Sequence, residues 1–211
     1  MEKTTNKETQ ALVNLFDTYN KKVFGDAVKK TVITIQRDGG LKVTGYFTPW
    51  ESWKTIDGEE TAAEIAITAE ELNRPLMSIA ETLLHEMVHA YNYSKGVQDC
   101  SRRGAFHNKK FRDAAEHAGL IVEDNKKYGC ITTGISEGTT AYKIAMEWAN
   151  THSEKGTFEK YRYQPEKAKP NKKRTTYYKY ACPCCGEKIT CKSARLHCRC
   201  LDCEMDYVLQ D

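Results

Sequence analysis

No run of apolar residues in this 211-residue chain approaches the ~20 that a membrane-spanning helix needs. The first ten residues, MEKTTNKETQ, lack the apolar stretch of a secretory signal. Mean hydropathy is -0.67. These absences argue against a membrane or exported protein, and a soluble cytoplasmic one is expected. No internal repeat is visible, which argues against a solenoid or propeller. An even cysteine count is also missing. Nine cysteines cannot all pair, and in a reducing compartment they point to metal ligands or buried small residues rather than a disulfide framework. The length suits one ordinary domain with a small appendage.

A strong net charge is missing as well, since the total is only +3. Its distribution is more informative. Residues 1–154 hold 19 basic and 22 acidic side chains, residues 155–179 hold 9 and 2, and residues 180–211 hold 4 and 5. Seven of the nine cysteines fall from Cys182 onward. Two asymmetries at one end of the chain divide it into a main domain over 1–150, a basic tether over 151–176 and a metal-stapled module over 177–211.

The main domain reads as α+β. Leu12, Leu15, Phe16, Tyr19 and Val23 recur at helical spacing over about residues 6–24. Residues 31–36 and 41–47 alternate and are rich in β-branched side chains. Asp38, Gly39 and Gly40 lie between them, so a hairpin is expected. Residues 64–68 are a third strand candidate. Trp50 and Trp53 are expected in the core, with a surface for stacking as the alternative. Long helices are predicted over about 75–93, 108–118 and 137–150.

The helix over 75–93 carries the chemistry. Residues 85–89 read His-Glu-Met-Val-His. Positions i and i+4 of a helix are neighbours about 5–6 Å apart at Cβ. Two imidazoles so placed can reach one Zn²⁺, with Glu86 beside them as a proton acceptor. On a helical wheel, Leu76, Ala80, Leu83, Leu84, Met87, Val88 and Tyr91 share one arc, while Thr82, His85 and His89 lie roughly opposite. The histidines thus occupy the face that packing does not explain. A catalytic zinc needs a third protein ligand and an open position. Downstream candidates are His107, Glu116, His117, Glu137 and His152. His107 opens a helix after a loop and is favoured, with Glu137 its chief rival.

Residues 64–92 followed by 107–120 resemble the SprT-like metallopeptidase domain of the Spartan DNA–protein crosslink proteases. The resemblance implies a zincin-like domain with a small antiparallel or mixed sheet and an HExxH helix. It implies that His107 completes the zinc site with His85 and His89, and that Glu86 is the general base. It also likens residues 64–68 to an edge strand on which an extended substrate lies, although a core strand fits the pattern equally. Many relatives have glycine where this chain has Asn108, and asparagine tolerates left-handed backbone geometry.

In the tail, Cys182 and Cys185 form one C-x-x-C pair, and Cys200 and Cys203 form another. Two such turns complete a tetrahedral four-thiolate zinc site, here that of a small β zinc ribbon. Cys184, Cys191 and Cys198 are spare, and Cys198 or His197 could replace Cys200 if the register shifts. Cys100 and Cys130 are read as packing residues. The tether leads into aromatic residues, and cations with rings suit phosphates and unpaired bases. Lys169, Lys172, Lys173, Arg174, Tyr177, Tyr178, Lys179 and Tyr180 are therefore candidate contacts to DNA, single strands included.

The sequence thus predicts a two-zinc endopeptidase acting on DNA-bound or crosslinked proteins. The rival readings are a nucleic-acid-binding regulator whose peptidase site is dispensable, and a processing peptidase without nucleic acid.

Overall fold

The computed structural model describes residues 6–37, 42–102, 104–158 and 177–210. The chain divides into two compact units, residues 1–164 and 165–211.

In the first unit, α1 (Asn6–Lys22) buries Ala11, Leu12, Leu15, Phe16 and Tyr19. Three strands follow: β1 (Thr31–Gln36), β2 (Gly45–Lys54) and β3 (Thr61–Thr68). Their order in the sheet is β1-β3-β2. The expected β1–β2 hairpin is therefore not formed. β3 lies between them, parallel to β1 and antiparallel to β2. The composition of β3 explains its place. All its residues after Thr61 are buried, and a strand buried on both faces belongs at the centre of a sheet. The edge-strand reading of residues 64–68 is overturned for the same reason, and β2 is an edge instead. The predicted turn residues Asp38, Gly39 and Gly40 lie outside the described residues.

Trp50 and Trp53 are 59% and 44% exposed, which overturns their expected core position. β2 pairs with β3 at Thr48 and again at Trp53, with a register shift between. The intervening residues project from the sheet instead of packing on it.

The long helix α2 (Leu76–Ser94) starts after Pro75 and is followed by Gly96 in the left-handed region, at φ 69°. Ile79, Ala80, Leu83, Leu84, Met87 and Val88 are wholly buried, and each such large side chain contributes about 2 kcal/mol of burial energy. This apolar arc fixes the helix's rotation, so the opposite arc, with both histidines, is held toward a cleft.

Short strands β4 (Cys100–Ser101) and β5 (Phe106–His107) pair next. Helix α3 (Lys109–His117) begins at Asn108, whose side chain accepts hydrogen bonds from the Lys110 and Phe111 amides. Asn108 has φ -96°, so it serves as a helix cap and not as a left-handed substitute for glycine. Strands β6 (Leu120–Asn125) and β7 (Gly129–Ile135) form an antiparallel pair. Helix α4 (Thr140–Glu154) is capped by the Thr139 side chain and is locked to α1 by Trp148 Nε1 donating to the Ala11 carbonyl at 3.0 Å. It runs beyond its predicted end at residue 150, and Phe158 is buried against Trp148. The start of the expected tether is therefore packed.

The second unit holds β8 (Tyr178–Ala181), β9 (Lys188–Cys191) and β10 (Val208–Gln210), in the order β10-β8-β9. No described helix is long and apolar enough to cross a membrane.

Candidate functional site

Helix α2 places His85 and His89 one turn apart, and the end of β5 brings His107 to them. Their ring centroids stand 5.1, 5.0 and 5.1 Å apart, nearly an equilateral triangle. One ligand nitrogen from each lies within 4.8 Å of the others. Beneath them sits Phe111, wholly buried, with its ring 4.8, 4.6 and 4.2 Å from His85, His89 and His107. Phe111 is an apolar floor that keeps the three rings from sinking into the core.

Each ring is anchored through Nδ1. His85 Nδ1 is 3.1 Å from Thr132 Oγ1, His89 Nδ1 is 2.8 Å from Asp99 Oδ2, and His107 Nδ1 is 2.9 Å from the Cys130 carbonyl oxygen. These partners accept from Nδ1–H and leave each Nε2 with a free lone pair. The His85 and His89 Nε2 atoms are 3.3 Å apart. Two nitrogens held about 2.05 Å from a tetrahedral ion would also stand roughly 3.3 Å apart. The donor set and its spacing therefore fit a metal ion with three nitrogen ligands and an open position.

The electrostatics agree. Burial, with His89 and His107 nearby, drives the His85 pKa well below 6.5. His107 is lowered too, chiefly by burial. Burial opposes protonation of His89 as well, but hydrogen bonds to Asp99 and Cys100 and the charges of Glu86 and Asp99 outweigh it, raising the ring to about 10. Asn92 Nδ2 holds the same Asp99 oxygen at 3.0 Å. One carboxylate thus supplies compensating charge beside two rings that reject protons.

Glu86 borders the triad and is only 7% exposed. Burial raises its carboxyl to about 7, against His89 and a hydrogen bond from the Phe47 amide, while Asp99 adds to the rise. That hydrogen bond links α2 to edge strand β2. A cavity of about 180 Å³ opens on the same side, walled by Phe47, Ala90 and Tyr93 among others. Ala90 is one helical turn beyond Glu86.

Gly129 lets the His107 loop close. Its φ is 80°, and a Cβ there would lie 2.0 Å from the His107 carbonyl oxygen. The His107 amide donates to the neighbouring Tyr128 carbonyl at 2.8 Å. Gly129→Ala is therefore expected to displace His107 and destabilise the first unit by about 2–3 kcal/mol. Thermal denaturation checks it, with a fall in Tm of roughly 5–10 °C expected.

The rival ligands do not join this cluster. Among the described residues, Glu116, His117, Glu137 and His152 belong to no group able to hold a metal. His152 pairs with Thr157 at 3.0 Å. Cys100 is more than packing, since its Sγ lies 3.9 Å from His89 Nδ1. Sequence reasoning missed Asp99, Phe111, Thr132 and the Cys130 carbonyl. The β-branched run in β7 was a usable strand signal for two of these.

In the second unit, Cys182, Cys185, Cys200 and Cys203 converge, with their sulfurs within 4.8 Å of one another. The two turns repeat one hydrogen-bond pattern. Cys182 N donates to Glu187 O and accepts at its own carbonyl from Gly186 N, each at 2.9 Å. Cys200 does the same with Met205 O and Glu204 N, again at 2.9 Å. The fifth residue of each turn has positive φ, 75° at Gly186 and 51° at Glu204. Matched turns place four thiols as a closed tetradentate set. Backbone amides, that of Cys185 foremost, lower the Cys182 thiol to about 7. His197 and Cys198 are not part of the cluster.

The candidate nucleic-acid residues separate. Tyr177 is 57% exposed, with Lys192 Nζ 5.8 Å from its ring centroid. Tyr178 is half-buried and Lys179 exposed. Tyr180 is corrected: it is 3% exposed and its hydroxyl donates to the Ser193 carbonyl at 3.0 Å, so it packs the module. Lys169, Lys172, Lys173 and Arg174 lie outside the described residues.

The model of the SprT-like family matches residues 12–132, more than half of the chain and the span that contains α2, β5 and most of β7. No curated protein and no solved structure matches.

Proposed function

The chain belongs to the SprT-like family, and from that premise we propose that it is a zinc-dependent endopeptidase acting on proteins bound or crosslinked to DNA. The observation that carries the peptidase reading is the triad of His85, His89 and His107 beside Glu86. A zincin-type site needs this set: three nitrogen ligands, an open position and a carboxylate at its border.

Zinc bound there supplies Lewis acidity and an acidified water. The remaining work falls to the chain. Asp99, Thr132 and the Cys130 carbonyl keep the three rings aimed. The Glu86 carboxylate takes a proton from the attacking water and returns it to the leaving amine. Its elevated pKa matches that exchange near neutral pH. The free edge of β2 offers backbone groups to an extended polypeptide by strand addition. β3, paired on both sides, has no such edge. The cavity beside Phe47 and Ala90 has room for one substrate side chain.

The DNA reading rests on charge and on the tail. The +7 segment over residues 155–179 would neutralise phosphates. The exposed Tyr177 ring, Tyr178 and Lys179 offer stacking and cationic contacts at the entry to the four-cysteine zinc ribbon. The test is cleavage of a DNA-binding protein by the zinc-loaded chain. Cleavage stimulated severalfold by single-stranded DNA, and less so as salt rises, is expected. Cleavage indifferent to DNA would leave a peptidase without the nucleic-acid role.

A further inference from the structure

Three histidines are anchored in three ways. His89 has a carboxylate and His107 a main-chain carbonyl, both full acceptors. His85 has only a hydroxyl, that of Thr132. A hydroxyl carries one proton and can donate as readily as accept. Thr132 alone therefore would not decide which nitrogen of His85 is protonated.

Glu81 removes the ambiguity. It lies four residues before His85, on the same face of α2, and is half-buried. Its carboxyl is hydrogen-bonded to the Thr132 side chain, and the positive charge of Arg74 lies near enough to favour its ionised form. A carboxylate only accepts, so the Thr132 proton points to Glu81. The oxygen of Thr132 must then accept from His85 Nδ1–H. That fixes the tautomer with the Nε2 lone pair facing His89 and His107.

The strand supports the same arrangement. β6 pairs Ile121 with Gly134 and Val122 with Thr132, leaving Thr133 as an extra residue on β7. A bulge of this kind re-aims the side chains beside it. Here it lies directly after Thr132, and Thr133 itself turns to Glu123 at 3.2 Å.

We infer that Glu81 is a positioning residue for His85, acting through Thr132, so that carboxylate, hydroxyl and imidazole form one relay ending at the metal position. The inference rests on the zinc reading of the triad.

Its test is zinc affinity of the full chain, measured by competition with a chromogenic chelator, with melting temperature in parallel. His85→Ala identifies which zinc belongs to the triad. For that zinc, Thr132→Val and Glu81→Leu are expected to weaken binding about 10- to 100-fold. Thr132→Ser, which keeps the hydroxyl, is expected to stay within about threefold of wild type. Because Glu81→Leu and Thr132→Ser leave β7 packing in place, they decide the matter even where Thr132→Val fails to fold. Wild-type affinity in Glu81→Leu would overturn the relay, and so would a Thr132→Ser protein as weak as Thr132→Val. Should His85→Ala retain as much zinc as wild type, the triad reading itself falls, a result separable from the other two.

Discussion

Glu86→Gln is expected to abolish measurable proteolysis, a loss of about 10²–10⁴-fold or more, while the protein keeps its fold and its zinc. Glutamine matches glutamate in shape, and its carbonyl oxygen can still accept from the Phe47 amide that now meets the carboxyl. What it loses is the ability to take a proton. The metal should remain, because Glu86 is not among the grouped ligand atoms of His85, His89 and His107. Stability should hold too. Glu86 is almost fully buried, and replacing a buried acid by a neutral amide removes a desolvation cost. The substitution thus separates chemistry from structure. Peptide cleavage is followed alongside zinc content and Tm. Cleavage persisting at the wild-type rate with zinc in place would remove Glu86 from the role of base.

How far this site could be read from sequence depends on how local each part is. His85, Glu86 and His89 are spaced by one helix, so their geometry is fixed by its pitch and the wheel gives their direction. The two Cys pairs are equally local, since each C-x-x-C is one turn with its own hydrogen bonds. His107 was legible as a ligand because it opens a helix beside a loop. Its anchoring was not, because it depends on β7 returning twenty-three residues later with the Cys130 carbonyl. Asp99 and Thr132 were invisible for the same reason, and so was Phe111, which in sequence is only one apolar position of α3. Sheet order was not legible, because turn residues between two strands do not oblige them to pair. A tight turn reverses the chain, but burial decided that β3, not β2, would lie beside β1. Tyr180 shows the converse error. The run of tyrosines is uniform in composition, yet strand alternation turns Tyr180 inward and leaves Tyr177 out.

The second large effect is expected in the tail. Cys200→Ser should unfold residues 177–210 while leaving the first unit folded and its triad loaded. The described part of this module has little apolar core: Tyr180, Ala181, Cys182 and Cys200 are its buried residues, while Leu201, Met205, Val208 and Leu209 are exposed. A segment this short does not fold on such a core. A structural zinc contributes about 10–16 kcal/mol in small modules of this kind, more than any packing available here. Cys200 is the most informative choice because it is buried and anchors one of the two matched turns. The control is Cys198→Ser, two residues away and outside the cluster, which should behave as wild type. Zinc content falling from two to one per chain, with rapid proteolysis of the tail and unchanged Tm of the main unit, is the expected result. The same assay tests the register of the ligand set. If Cys198→Ser releases the zinc and Cys200→Ser does not, the second turn ligates through Cys198, and the matched hydrogen-bond pattern at Cys182 and Cys200 has another cause. If neither does, the module's order comes from packing that its exposed leucines and valine give no sign of supplying.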